Sequence, residues 1–342
     1  MNVTERPDDA RPVRNAFLFD FELPFNARLA GIEFTVTDAE DSETIGFRFS
    51  ERELQAEGEP SVVTLKARGG FFGSSISHDD LGNSAKISPI FDRLIWHLNN
   101  FLASYMVITK DTFVSFVSLH SVPLAVWHYL DVEKELRKRD LLQYAAEHID
   151  EAEHGILTLG WMRATKGMTQ MPPIDGPTLA RVIHNAYPPE RSANPFFNSE
   201  LFYLLSRKYH EEANYAGAVV FLHSSVETFL SAFLILVGLD ADLATRYPTV
   251  EAYLRANPFT AVVKRAFQNH IKGINWDFSA PSSQLRPYFD DGYELRNRVI
   301  HGGHYPQWDE AERASQAVDA LRSTLIESIK SQHKAVYEQY LR

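Results

Sequence analysis

The stretch Tyr215-Ala-Gly-Ala-Val-Val-Phe-Leu-His-Ser-Ser-Val-Glu-Thr-Phe-Leu-Ser-Ala-Phe-Leu-Ile-Leu-Val237, followed by Gly238, decides the fold of the second half of the chain. Ala218, Val219, Phe221, Leu222, Val226, Phe229, Leu230, Phe233, Leu234 and Leu236 leave it little polar face. A helix this apolar has to be covered nearly all round, so it predicts the central element of a helical bundle. Gly238 is a natural stop, because glycine takes the left-handed conformation that ends helices.

Working outward, Asn198-Ser199 can cap a helix running to about 212. Downstream, a shorter pair is expected near 249–256 and 259–271, ending at Gly273. Another helix is expected from about Ser282 to His301, where Gly302-Gly303 stops it. A last one is expected from about Trp308 to the end, with Asp309 near its start.

Upstream the character changes. Pro172, Pro173, Pro177, Pro188, Pro189 and Pro195 make 166–195 the clearest boundary, with a short helix expected around 176–186. Before it, strands are expected at Phe17–Phe21, Ile32–Thr37, Ile45–Phe49 and Ser61–Lys66, from period-two alternation and β-branched residues. Asp38-Ala-Glu-Asp-Ser42 and Glu57-Gly-Glu-Pro60 read as turns between them. Ile90, Leu94, Ile95, Leu98, Phe101, Leu102 and Tyr105 recur at helical spacing, predicting a helix over about 88–108 that starts at Ser88-Pro89. Phe113–Leu119 reads as a further strand, and 130–163 fits either a charged helix or a hairpin turning near Glu153-His154-Gly155. The expected class is α+β: an N-terminal strand-rich domain over 1–165, a proline-rich linker over 166–195, and an all-α domain over 196–342.

Composition narrows the function. The 342 residues are 44% hydrophobic and 23% charged, as in a globular protein. No uninterrupted apolar run nears the roughly eighteen residues of a membrane span, and the polar start MNVTERPDDARP has no secretion-signal core, so no membrane association and a cytoplasmic location are expected. Without cysteine there are no disulfides, thiolate metal sites or cysteine nucleophile. Net charge is −11, which argues against nucleic-acid binding by bulk charge. Residues 196–342 carry 15 Lys+Arg and 17 Asp+Glu, a net of −2, so most of the acidity is N-terminal and a locally basic site remains compatible with the C-terminal part.

The chemistry-bearing stretch is Tyr293-Glu-Leu-Arg-Asn-Arg-Val-Ile-His-Gly302. Arg296 is followed by the polar Asn297, a gap, then His301 and two glycines, at the end of an amphipathic helix. With the long upstream helix pair and the closing helix, this resembles the HEPN superfamily, whose motif is arginine, a polar residue, a variable gap and histidine. Tyr215–Leu230, including Glu227, also resembles the early helix of such domains. The resemblance covers about 145 residues, and the strand-rich part joined to it broadly resembles ApeA-like defence proteins.

The resemblance implies a metal-independent RNA endonuclease without cofactors, in a toxin or antiviral defence setting, working as a homodimer that brings two motifs together. The N-terminal domain would then sense a trigger, hold the nuclease inactive, or bind a partner such as an antitoxin. The residue types suit that chemistry. RNA supplies its own nucleophile, the 2′-hydroxyl, and cleavage needs a base for its proton and an acid for the leaving 5′-oxygen. His301 suits both roles, because imidazole titrates near neutrality. Arg296 presents a permanently charged planar fork that fits phosphate oxygens and the charge built up in the transition state. Asn297, four residues before His301, shares its face and is expected to orient the imidazole. Arg298 and His304 are expected substrate contacts, and Glu227 a support for the arginine. Arg296 and His301 stand about 140° apart on an ideal helix, so they converge only if the arginine reaches around, the helix unwinds at Gly302, or a dimer cleft brings copies together. The competing reading is a non-catalytic module that binds nucleotide or RNA or only dimerises, with His301 at its own helix end and Arg296 paired to an acid such as Glu227.

Other constellations are weaker. His148, Glu151 and His154 lack the spacing of zinc helices and read as a solvated face, and His78-Asp79-Asp80 reads as a polar loop. His223 reads as a packed histidine. Gly69-Gly70-Phe-Phe-Gly73 lacks the Lys-Ser/Thr ending of a phosphate loop, and there is no Gly-x-Ser-x-Gly elbow. No metal is expected.

Overall fold

The computed structural model describes residues 11–25, 27–37, 44–54, 62–73, 78, 81, 83–112, 114–117, 122, 124–158, 174–186, 194–277 and 280–342. The chain is α+β and forms two compact units: Met1–Ala103 with Phe113–Ile183, and Ser104–Thr112 with His184–Arg342.

The first unit is built on a six-stranded antiparallel sheet in the order β2-β3-β4-β1-β5-β6. Its strands are β1 (Arg11–Glu22), β2 (Glu33–Thr37), β3 (Thr44–Leu54), β4 (Val62–Phe72), β5 (Leu124–Leu136) and β6 (Glu153–Thr158). Alternation puts Phe17, Phe19 and Phe21 of β1 on one face. Helix α1 (Ser84–Thr109) buries that face: Phe91 lies 4.9 Å from Phe19 and 5.4 Å from Phe21, and Phe101 lies 4.6 Å from Phe34 and 5.8 Å from Phe49, between ring centroids. Each such buried ring contributes on the order of 2 kcal/mol of transfer free energy.

Strand β4 continues through Gly69-Gly70, beyond the Lys66 at which the sequence pattern ends. Any side chain at Gly69 would strike the Phe47 ring, and one at Gly70 would strike the Phe17 backbone. The glycines are there because large neighbours fill their space. On the other face, α2 (Leu141–Glu147) covers Leu18, Phe72 and Leu130 with Leu141, Leu142 and Ala145.

Several expectations are corrected. Helix α1 begins at Ser84, so Pro89 lies in its second turn and costs it one backbone hydrogen bond. Of Phe113–Leu119, the described residues 114–117 are not a strand: Asn99 donates to the Val117 carbonyl at 2.8 Å and accepts from its N–H at 2.7 Å, occupying the groups a ladder would need. The strand lies later, at β5. Of 130–163, the described residues 130–158 hold the end of β5, then α2 and β6, and β5–β6 is an antiparallel pair with a helical excursion; 159–163 lie outside the described residues. Glu133 has φ +42°, where the β1–β5 register slips between Val13 and Asn15, as at a bulge. The short helix α3 (Gly176–Ala186) forms where expected.

The second unit is helical. Its longer elements are α4 (Phe197–Glu211), α5 (Tyr215–Val237), α6 (Val250–Ala256), α7 (Glu294–Gly302) and α8 (Trp308–Gln332). Asn214 caps α5 by accepting from the Gly217 N–H at 3.1 Å, and Gly238 ends it at φ +82°. Leu222, Val226, Phe229, Leu230 and Phe233 of α5 form the core with Leu321, Leu325 and Ile329 of α8. By length and composition α5 is a candidate membrane span, and just over half of that window is buried inside the unit, as in a central bundle helix. The sequence reading missed this because it counted only uninterrupted apolar runs.

Two helix bounds also differ from expectation. Ser283 Oγ donates to the Asn275 carbonyl and accepts from the Leu285 N–H, so 281–285 turn rather than coil, and a π-helical turn, Tyr288–Tyr293, leads into α7. The closing helix breaks at His333, beyond which Lys334–Val336 and a π turn, Tyr337–Leu341, complete the chain.

Asp20 carries a prediction for the first unit. It is 7% exposed and receives Arg68 bidentately at 2.6 and 2.7 Å, with Lys66 at 3.1 Å and His128 at 3.5 Å. Burial pushes its carboxyl up, but the Arg68 hydrogen bonds, the nearby His128 ring and the Arg68 and Lys66 charges together hold it well below the usual carboxylate range. A folded value below the unfolded one of about 4 means the contribution is complete above that pH and lost as pH falls through the folded value. Asp20→Asn is therefore expected to cost about 3 kcal/mol at neutral pH, and to flatten the acid side of the stability profile. Urea midpoints of both proteins between about pH 7 and about pH 3 check it; parallel profiles would contradict it.

Candidate functional site

Helix α7 runs regularly through Gly302, and Gly303 closes it at φ +64° with its N–H on the Arg298 carbonyl. The His304 N–H meets the same carbonyl at 3.1 Å. The unwinding at Gly302 that would swing His301 toward Arg296 does not occur, because the left-handed residue is Gly303. Arg296 and His301 keep their angular separation, and no hydrogen bond joins them among the described residues.

Arg296 is half-buried and donates from Nη1 to Asn297 Oδ1 at 3.1 Å. Asn297 therefore meets the arginine, not the imidazole it was expected to orient. The bond leaves most of the guanidinium N–H groups free for an anion. His301 is exposed and has no hydrogen-bond or ion-pair partner among the described residues.

Glu227 sits on α5, 38% exposed. Its oxygen lies 3.1 Å from His223 Nε2, while His223 Nδ1 lies 2.6 Å from the Tyr288 hydroxyl. Both His223 and Tyr288 are almost fully buried, at 2% and 1% exposed. Tyr288 donates to Nδ1, while Nε2 faces Glu227 without meeting the geometry of a hydrogen bond. Burial pushes the Glu227 carboxyl up, but the adjacent His223 imidazole and the Arg296 charge outweigh it and hold the carboxyl below its usual range. Burial, with the Glu227 charge adding, pushes the Tyr288 hydroxyl well up, so it stays a donor. Glu227 thus acts on Arg296 by charge while its nearest polar neighbour is His223. The ring of His223 lies in an aromatic surround of Phe259, Tyr288 and Tyr293. The packing expected for His223 is present, together with a polar role that its spacing from Glu227 would have suggested.

Arg298 and His304 both meet Glu310, at 3.1 and 2.9 Å. Glu310 also accepts from the Gln307 N–H at 3.0 Å, completing a capping box at the start of α8. The Gln307 bond, with His304 and Arg298, holds its carboxyl below the usual range despite some desolvation. The two residues expected to contact substrate are thus also the clamp between the end of α7 and the start of α8. Sequence reading passed over Glu310, whose signal was its position three residues after a capping Gln307.

Elsewhere in the unit a polar cavity of about 330 Å³ lies between α4, α5 and α8, lined by residues including Tyr203, His210, Glu312 and Asp319 and by none of the motif. Burial and the Asp319 carboxylate, 2.7 Å away, push the Tyr203 hydroxyl up to about 12. In the first unit, His148 stacks on Tyr144 at 4.0 Å and His154 lies on β6, since 148–154 is a short 3-10 turn, Ile149–Glu151, followed by a strand and not one α-helix. Among the described residues no group of three or more His, Asp or Glu is placed to hold a metal ion.

Two substitutions test this framework. Tyr288→Phe is expected to cost about 1–3 kcal/mol, because it strands a buried ring nitrogen of His223. Gly303→Ala is expected to cost about 1 kcal/mol from its positive φ alone, since nothing crowds its missing Cβ. Chemical denaturation measures both, and unchanged midpoints would contradict the assignments. No family model, curated protein or solved structure matches the chain.

Proposed function

We propose that the helical unit is a metal-independent RNA endonuclease of the HEPN type, acting as a homodimer in a toxin or phage-defence setting. The observation that carries this reading is the pairing of a half-buried, largely unengaged arginine with an exposed, unpartnered histidine on one helix end. Arg296 would hold the scissile phosphate and stabilise its developing charge. His301 would move the proton of the 2′-hydroxyl or of the leaving oxygen. Asn297 and Glu227 would fix the guanidinium, the first by a hydrogen bond and the second by charge. The strand-rich unit would sense a trigger or bind an antitoxin, and the protein would act in the cytoplasm.

The second reading, a non-catalytic HEPN module that binds nucleotide or RNA or dimerises, is favoured by the overall charge of −11 and by the lack of any bond between Arg296 and His301 within one chain. A two-fold dimer answers the second point, because two copies supply four groups around one phosphate.

His301→Ala is expected to lose RNA cleavage by a factor of about 100 or more with an unchanged thermal melt. Cleavage by wild type is expected to survive excess EDTA and to leave 2′,3′-cyclic phosphate ends. Equal cleavage by the variant, or loss in chelator restored by magnesium, would reject the reading. Light scattering at low micromolar concentration is expected to give a dimer. Mixing protomers lacking Arg296 with protomers lacking His301 tests whether the sites are shared. A monomer that still cleaves would reject the shared site.

A further inference from the structure

Of the large apolar side chains that stay exposed among the described residues, Ile300, Tyr305 and Trp308 fall within nine residues, at 45%, 59% and 57% exposure. Single exposed apolar residues are ordinary, but a cluster that includes two aromatics needs an occupant. All three flank His301 along the chain. The Glu310 clamp holds them at one end of the α7–α8 pair, since it joins Arg298 and His304 to the turn that starts at Trp308.

The aromatics are also held firmly. The Tyr305 hydroxyl donates to the Ala213 carbonyl at 3.3 Å, fixing one edge of the ring. Trp308 is the first residue of α8, and its ring lies 6.4 Å from that of His210, which lies 5.4 Å from Tyr215. His301, His304, Tyr305 and Trp308 follow one another along the chain between the end of α7 and the start of α8, and Trp308 lies against His210.

We infer that Tyr305 and Trp308 are a stacking platform for unpaired RNA bases, placed to seat the nucleotides next to the phosphate that Arg296 holds. The inference rests on the ribonuclease reading of the same helix end and names the substrate as single-stranded. Every base offers a π face, so aromatic platforms bind single strands with little sequence preference, and a duplex hides those faces. The charge pattern favours this occupant: Arg296 donates to Asn297 alone among the described residues, with Glu227 acting on it by charge, and His301 has no partner there, so two groups suited to phosphate stand on the helix that leads into the rings.

The test uses a short fluorescent 2′-O-methyl oligoribonucleotide, which lacks the attacking hydroxyl, so binding is read without cleavage. Trp308→Ala and Tyr305→Ala are each expected to weaken its Kd by about 10-fold, within the range for one stacked base. Trp308→Phe is expected to keep most of the affinity, and a duplex of the same sequence to bind wild type and Trp308→Ala alike. Unchanged affinity in both alanine variants would overturn the inference. So would a loss of affinity that tracks a loss of dimer in light scattering, since the rings would then be an interface between copies. Stacking-dependent binding by a protein that never cleaves RNA would uphold the platform while rejecting the nuclease.

Discussion

Helix α5 has to be buried on most of its circumference, and it also carries a histidine and a glutamate through that buried surface. An isolated polar group in such a core costs several kcal/mol, so His223 requires partners on both ring nitrogens. Tyr288 donates to one, and Glu227 lies 3.1 Å from the other without the geometry of a hydrogen bond. The Tyr288 bond ties the π-helical turn before the motif to the middle of α5, and Glu227 stands at the edge of the core, where its charge acts on Arg296. Turns of π-helix inside α-helices often mark functional sites, and this one puts Tyr288 against the core directly before the motif.

The first unit meets a different constraint. Its phenylalanines crowd one face of the sheet, where the neighbouring strand gives way to the Phe47 ring at Gly69, while Gly70 makes room for the Phe17 backbone and Leu18. The opposite face is divided. Helix α2 covers its apolar end, while the other end holds Asp20 in a cage of Arg68, Lys66 and His128. A buried charge set of this kind adds more to the uniqueness of the strand register than to net stability, since its desolvation offsets much of its attraction.

How much could be read in the sequence depended on whether a signal was local. Strands β1 to β3, the extents of helices α3 to α5 and the stop at Gly238 follow from periodicity and local breakers, which neighbouring residues encode, but the cap expected at Asn198-Ser199 does not form: α4 starts at Phe197 with no side-chain cap, and the Ser199 hydroxyl donates instead to the Ser225 carbonyl. Strand β4 was read short, because glycines look like a break until the rings that fill their space are known. The 113–119 segment alternates like a strand, yet of its described residues Val117 gives both backbone groups to Asn99, eighteen residues earlier on α1. At the candidate site Arg296, Asn297 and His301 were legible as a motif. That Asn297 serves the arginine, that His223 links Tyr288 to Glu227, and that Glu310 gathers Arg298 and His304 all depend on contacts between separate helices. Such pairings leave little trace in one sequence beyond a polar residue in an apolar run.

Glu310 couples two tasks that are usually separate. It caps the start of α8 and it pairs with Arg298 and His304. An anion that draws Arg298 away competes with a helix cap, so its intrinsic attraction is reduced by whatever the cap contributes. Binding there and order in the first turn of α8 are thermodynamically linked with opposite sign: a ligand that takes Arg298 loosens the turn that carries Trp308, and a stiffer turn binds that ligand less well.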